Sequence, residues 1–248
     1  MLMLLSSLAC LVLPGNGDVA TVKRNIQGSF QELAVFNIVN VRWTASTSDH
    51  VGAALTCDRN LMAHIDTEVS DGVLRVTTPS GTVLEPTQPC ELVLTSSCLE
   101  ALRTSASGSI EGAGEVCAIG ELETSGSGSI SLEALESTAL VIEVSGSGGM
   151  SVGEASVGEL TTAQHGSGDV DLAGACDELE AELTASGNLW ARSLSCETAD
   201  ITSSGSGDVE LTVSDSALVS SSGSGDVDLW GGAEVESSSS GTGTVTSH

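Results

Sequence analysis

The sequence is poor in aromatic rings. It has no tyrosine, two phenylalanines and three tryptophans among 248 residues, so aromatics make up 2%. A nucleic-acid platform that stacks bases needs rings in number, and they are missing. Positive charge is equally scarce: 7 Lys and Arg stand against 34 Asp and Glu, a net charge of −27. Such a surface repels phosphate backbones and anionic lipid heads, which excludes nucleic acid as a partner and polybasic attachment to a membrane. Cations and basic partners remain compatible with it. No cysteine pair reads C-x-x-C and no histidine sits at zinc-finger spacing, so no zinc or other metal centre is expected. There is no G-x-S-x-G elbow opening a helix, and no lysine follows the glycine tracts as a phosphate loop requires. No catalytic residue is assigned, and the chain reads as a non-enzyme without a cofactor.

What is present is enough to fold. Hydrophobic residues are 40% of the chain, which supports a buried core. Charge is uneven along it. Residues 1–103 carry six bases and ten acids, whereas residues 104–248 carry Arg192 alone against 24 acids. Met1 to Leu13 form an apolar run of about 13 residues, too short to span a bilayer and of the size of a signal-peptide core. Pro14-Gly15-Asn16-Gly17 ends the run with turn formers. Residues 1–20 are therefore expected to be a signal for export, although no basic residue precedes the run. Cys10 follows Ser7-Leu8-Ala9 and is a lipidation candidate, as in a lipoprotein signal. The localisation expected is periplasm, outer membrane or cell surface, or the medium, with no transmembrane span.

The main signal is a repeat. Gly-Ser tracts end at Gly108, Gly128, Gly148, Gly168, Gly187, Gly207, Gly225 and Gly243, advancing by 20, 20, 20, 19, 20, 18 and 18 residues. Two residues after each stands an apolar side chain: Ile110, Ile130, Met150, Val170, Leu189, Val209, Val227 and Val245. The residue between is never large and apolar, and the third position is polar in every repeat but the one holding Trp190. This period of two marks a strand with one buried face. A second alternating strand precedes each tract, as in Leu179, Ala181 and Leu183. A flexible Gly-Ser linker would not keep apolar residues in register. The fold expected is an all-β parallel β-helix, or β-solenoid, with 18–20 residues per coil. Residues 105–248 are its regular coils, and residues 21–104 an irregular β-rich cap over one end. Within the cap, Phe36, Ile38, Val41 and Trp43 suggest one strand and Val51, Ala53 and Leu55 another. Asp71-Gly72 suggests a tight hairpin turn.

Stacked coils also pair cysteines. Cys176 and Cys196 each lie 11 residues before the next tract's last glycine, so they are a disulfide candidate on neighbouring coils. Cys98 and Cys117 are neighbours one residue out of register. The outward acids Asp169 and Asp171, Asp208 and Glu210, and Asp226 and Asp228 form pairs that could hold a ligand or a cation such as Ca²⁺; a solvated acidic face is the alternative.

The sequence resembles the bacterial family known as the auto-transporter adhesin head, or GIN, domain. The resemblance is carried by the Phe30–Trp43 region, by Cys57-Asp58-Arg59-Asn60-Leu61 with Asp66 to Val76 (DTEVSDGVLRV), and by the G-S-G-D-V tracts at Gly168, Gly207 and Gly225, the last two preceded by Ser as S-G-S-G-D-V. It spans about residues 22–245. It implies a β-solenoid of the cell envelope or surface that binds an unidentified glycan or protein. Two other readings stand beside this adhesin: a polysaccharide lyase or hydrolase using the paired carboxylates, and a structural protein that self-associates through its solenoid ends.

Overall fold

The computed structural model describes residues 11–48 and 50–248. Its regular part is a right-through stack of parallel coils. Five long strands follow one another, Ile130–Val144, Met150–Gln164, Val170–Leu183, Leu189–Ser203 and Val209–Ser221. Each pairs in parallel with the next. Each wraps two sides of a coil, bending at a loose corner, and the Gly-Ser tract closes the turn. The stack amounts to about seven turns. The register follows the repeat: Ile130, Met150, Val170, Leu189, Val209 and Val227 are successive partners. All six are buried, as is Ile110 before them, while Val245 in the last coil is partly buried. Alternation with polar neighbours leaves one dry aliphatic column inside and polar ladders outside, the arrangement that removes apolar area from water most completely for this pattern.

The corners explain the composition. Ser127 N–H donates to Ala106 O at 2.8 Å and Ser147 N–H to Gly126 O at 2.9 Å, so one tract hangs from the last. A Cβ added at Gly148 would land on the carbonyl oxygen of Gly128, and one at Gly168 on that of Gly148. Only glycine permits that approach. Four residues before the final glycine, the hydroxyls of Thr104 and Thr124 donate to Gly108 O and Gly128 O at 2.6 and 2.8 Å, satisfying carbonyls the corner turns inward.

The cap is built in a different order from the one in which it is written. Glu32–Val35 pairs in parallel with Ala101–Thr104 on one side and Val73–Thr77 on the other. Asn40–Ala45 likewise lies between Ile110–Gly114 and Glu91–Ser96. The coil of residues 32–45 is thus sandwiched between the first regular coil and an outer coil made later in the chain. Antiparallel strands then stop the stack. Asp66–Ser70 pairs with Val73–Thr77, Gly52–Asp58 with Glu91–Ser96, and Val19–Lys23 with Gly52–Asp58. The hairpin at Asp71-Gly72 has positive φ at both residues, 54° and 79°, as a primed two-residue turn requires. The single strand expected through Phe36 and Trp43 is two strands, Glu32–Val35 and Asn40–Ala45. Phe36 sits at the bend between them and is 43% exposed.

Of the expected signal segment, Leu11–Pro14 pairs in parallel with Thr82–Glu85, and Val19 and Ala20 begin the strand on Gly52–Asp58. Cys10 lies outside the described residues. Asp58 ties this segment down. It is buried, and its carboxylate accepts from Gly17 N–H at 2.7 Å, Thr87 N–H at 2.8 Å and the Thr87 hydroxyl at 2.9 Å. The Thr87 backbone bond holds its carboxyl below the usual aspartate range, helped by the Thr87 hydroxyl and Gly17 N–H against the opposing effect of burial.

Candidate functional site

Two neighbouring positions of the repeat place the six candidate acids in different roles. One residue after the final glycine stand Asp169, Asn188, Asp208, Asp226 and Thr244, and these form a ladder along the corner. Asn188 N–H and its side-chain amide donate to Asp169 Oδ1 at 2.8 and 2.9 Å. Asp208 N–H donates to Asn188 Oδ1 at 2.8 Å, and Asp226 N–H to Asp208 Oδ1 at 2.8 Å. Thr244 closes the run, giving its N–H at 2.7 Å and its hydroxyl at 2.8 Å to Asp226 Oδ1. These donors, the N–H first, hold the Asp226 carboxyl below its ordinary range. Each of these side chains accepts the N–H that the following coil cannot satisfy in the sheet, so Asp169, Asp208 and Asp226 join coil to coil.

Asp171, Glu210 and Asp228 stand two residues further on, where side chains point out of the sheet. Successive partners here are Ser131, Ser151, Asp171, Trp190, Glu210, Asp228 and Thr246. The spacing between rungs of a sheet is about 4.8 Å. Trp190 is therefore flanked along the axis by Asp171 on one side and Glu210 on the other, with Asp228 beyond.

Five residues after the final glycines of the last four tracts stand Arg192, Thr212, Trp230 and His248, beside a bulge where the register slips, so that Ala173 pairs with Ser193 and Thr212 with Ser195. Thr212 pairs with Trp230 and gives its hydroxyl to Arg192 O at 2.8 Å. The Arg192 guanidinium reaches across the short threonine and lies 4.2 Å from the centre of the Trp230 ring. His248 stacks on that ring from the other side, with centroids 4.7 Å apart and planes 9° from parallel, and its Nε2 lies 3.1 Å from Asp228 Oδ1. The only Lys or Arg beyond residue 103 is thus held on an aromatic face. Reading the repeat out to its fifth position would have brought Arg192, Trp230 and His248 together; reading it to the fourth does not.

Elsewhere, Cys176 and Cys196 form a disulfide across neighbouring coils, with Cα atoms 4.5 Å apart. Cys98–Cys117 and Cys57–Cys90 are also bonded. At the loose corner a groove of about 830 Å³ opens beside Val116, Ala118 and Val157, rimmed by Glu136, Glu159 and Glu178. Among the described residues no group of three or more His, Cys, Asp or Glu is arranged to hold a metal ion. No helix among them is long and apolar enough to cross a membrane.

The parallel stack, its early cap and the S-G-S-G-D-V corners coincide with a known family. The profile described as "Putative auto-transporter adhesin, head GIN domain" matches residues 29–233. The chain belongs to this family. Solved structures share the GIN-domain fold along nearly its whole length. A putative adhesin from Parabacteroides distasonis is 22% identical with a TM-score of 0.84, covering 96% of this chain and 100% of its own. A putative adhesin from Parabacteroides merdae is 22% identical with a TM-score of 0.78, covering 96% and 99%. A protein from P. distasonis described as a putative lipid binding protein is 21% identical with a TM-score of 0.80, again covering 96% and 99%. No curated protein matches the chain. At these identities the neighbours establish the architecture of the GIN domain, and its outward residues have to be read on their own terms.

Proposed function

We propose that this GIN domain is an exported, non-enzymatic adhesin of the cell envelope or surface, and that it binds through the sheet face carrying Asp171, Trp190, Glu210 and Asp228. The observation that carries the reading is that ladder: a tryptophan set between carboxylates on a rigid, flat stack of coils. A stack fixed by a dry aliphatic column presents side chains at set intervals without needing to reorganise, which favours binding. Three disulfides support an oxidising compartment. The apolar run at Met1–Leu13 supports export. A lipid ligand, suggested by the name of one structural neighbour, is disfavoured by the acidic rim of the loose-corner groove, which would repel anionic headgroups.

The test is made in cells. An antibody raised against residues 105–248 should label intact cells, the protein extracted under thiol-blocking conditions should be fully oxidised, and deletion should lower attachment to host or biofilm surfaces. A reduced, cytosolic protein whose loss leaves attachment unchanged would refute the reading.

A further inference from the structure

We infer that the face centred on Trp190 binds a neutral, linear carbohydrate laid along the solenoid axis. The inference rests on the adhesin reading and names the chemistry of its ligand. A chain with so few aromatic residues has no surplus rings, and its three tryptophans have different surroundings. Trp43 is buried and donates its indole N–H to Ser96 Oγ at 2.9 Å. Trp230 is covered on both faces by Arg192 and His248. Trp190 is half-buried, and among the described residues no ring or guanidinium stacks on it. An indole left partly in water offers a flat apolar surface to a partner that is itself flat and apolar on one side and polar at its edge. A pyranose ring is such a partner: its axial C–H groups pack on an indole, while its equatorial hydroxyls project sideways.

The neighbours of Trp190 fit those hydroxyls. Asp171 and Glu210, one rung to either side, are acceptors that take hydroxyl donors in short, charge-assisted bonds. Asp228 extends the line by a further rung. The rung spacing of about 4.8 Å is close to the length of one sugar in an extended chain, so a linear oligosaccharide keeps step with the ladder. Ser151 and then Ser131, the next partners beyond Asp171, are small and leave the floor low, so the polymer can run on over them. The charge selects against uronates, sulfated sugars and sialic acids, which the flanking carboxylates and the net −27 would repel. A polycation would be drawn to the acids but gains nothing particular from the indole.

The experiment uses the purified full chain. Mannohexaose, laminarihexaose and xylohexaose are titrated by calorimetry and by tryptophan emission, with oligogalacturonate as the anionic control. At least one neutral hexasaccharide should bind and shift the emission, and oligogalacturonate should bind more weakly or not at all. Trp190→Ala should weaken binding about tenfold or more. The double change Asp171→Asn and Glu210→Gln should weaken it while leaving the emission shift of the bound state in place. Trp190→Phe should restore part of the affinity, and Trp230→Phe should bind as the wild type does. Circular dichroism melts show whether each variant keeps its fold. No binding to any neutral hexasaccharide, or unchanged binding by a folded Trp190→Ala, overturns the inference. Cells expressing Trp190→Ala separate the two readings: if they attach to carbohydrate-coated surfaces as the wild type does, the carbohydrate assignment fails and the adhesin role stands. If deletion has no effect on attachment although the sugar binds, the adhesin reading fails instead.

Discussion

The cap and the regular coils are held together by opposite strategies. In the cap, contacts are individual and reach far along the sequence. Arg103 donates to Glu32 at 2.5 Å and to Glu121 at 2.7 Å, with Glu123 at 3.3 Å, fastening three strands. Hydrogen bonding and charge from Glu121, then Glu32, push its pKa further up. Arg42 pairs with Glu91 at 2.9 Å and Glu111 at 3.6 Å in the same manner. Cys57–Cys90 spans 33 residues. These ion pairs reach into the first regular coils at Glu111, Glu121 and Glu123; beyond them, among the described residues, the regular coils have almost none. Their contacts repeat every 18–20 residues, each coil satisfying the next through aliphatic neighbours, corner glycines and the Asp169–Thr244 ladder. Repetition replaces charge pairing, so this half tolerates one base against 24 acids. It also concentrates risk: a corner that two coils share cannot absorb a side chain.

That risk gives the largest effect to test. Gly148→Ala puts a Cβ on Gly128 O, backbone against backbone. It should cost at least about 3 kcal/mol and broaden the denaturant transition as coils unfold separately. In the cap, Gly81→Ala meets nothing within 4 Å and bears only the strain of φ +77°, about 1 kcal/mol. A Gly148→Ala protein that melts with the wild type would mean the coils are not in contact at this corner. Replacing the cysteines by serine comes next. In the chain-entropy picture, removing Cys57–Cys90 costs about 3.7 kcal/mol and Cys176–Cys196 about 3.3 kcal/mol. The near equality is the point of comparison. If the repeat itself keeps coils adjacent in partly unfolded states, the loss at 176–196 should fall well below that of the cap pair.

Acid should separate the two regions by a smaller amount. The folded pKa values of Asp58 and Asp226 lie below the ordinary 3.8. Each contribution is therefore complete above about pH 4 and is lost as pH falls through the lower folded value. Protection from hydrogen exchange, taken relative to the intrinsic rate at each pH, should fall at low pH first in Leu11–Lys23, which Asp58 fastens, and in Val245–Ser247, beside the Asp226–Thr244 bonds. Asp58→Asn should speed exchange of Leu11–Lys23 already at pH 7 and remove its acid response. Uniform protection across both segments between pH 7 and pH 3 would contradict the role given to these carboxylates.

The same contrast governs what could be read before the fold was known. The regular coils were legible because one unit repeats: the spacing from each glycine gives register, the buried column and the adjacency of Cys176 and Cys196. The cap was not, because its spatial order departs from its chain order. No local pattern places residues 32–45 between residues 73–96 and 101–114, and the pairing of Cys57 with Cys90 depends on that placement. Phe36 misled because an aromatic residue beside β-formers looks like strand interior, while the chain turns there. At the site, Trp190 stood out as the one large apolar residue at a polar position. The engagement of Asp169, Asp208 and Asp226 was hidden, since outward position alone does not say whether a carboxylate faces solvent or the next coil's N–H. These three differ from Asp171, Glu210 and Asp228 by only two residues of phase, and that phase decides whether an acid braces the stack or points out of the sheet.

Salt gives the smallest effect and the sharpest sign. In the regular coils acids sit on adjacent rungs: Glu159 beside Glu178, Glu180 beside Asp200, Glu210 beside Asp228. Two unit charges about 5 Å apart in water repel by about 0.8 kcal/mol. The Debye length of about 10 Å at 0.1 M falls to about 3 Å at 1 M, so added NaCl relieves this repulsion. In the cap the same salt weakens attraction around Arg103 and Arg42. Raising NaCl from low concentration should therefore slow hydrogen exchange in Val170–Leu183 and Leu189–Ser203 and quicken it in Glu32–Val35 and Glu121–Thr124. Arg103→Gln should cost about 1 kcal/mol at low salt after allowance for solvent screening. Its three glutamates then repel one another, so salt should stabilise the variant more than the wild type, and exchange in Glu32–Val35 should slow rather than quicken. Equal responses of both halves would show that charge pairing is not what distinguishes them, leaving the aliphatic column to hold cap and coils alike.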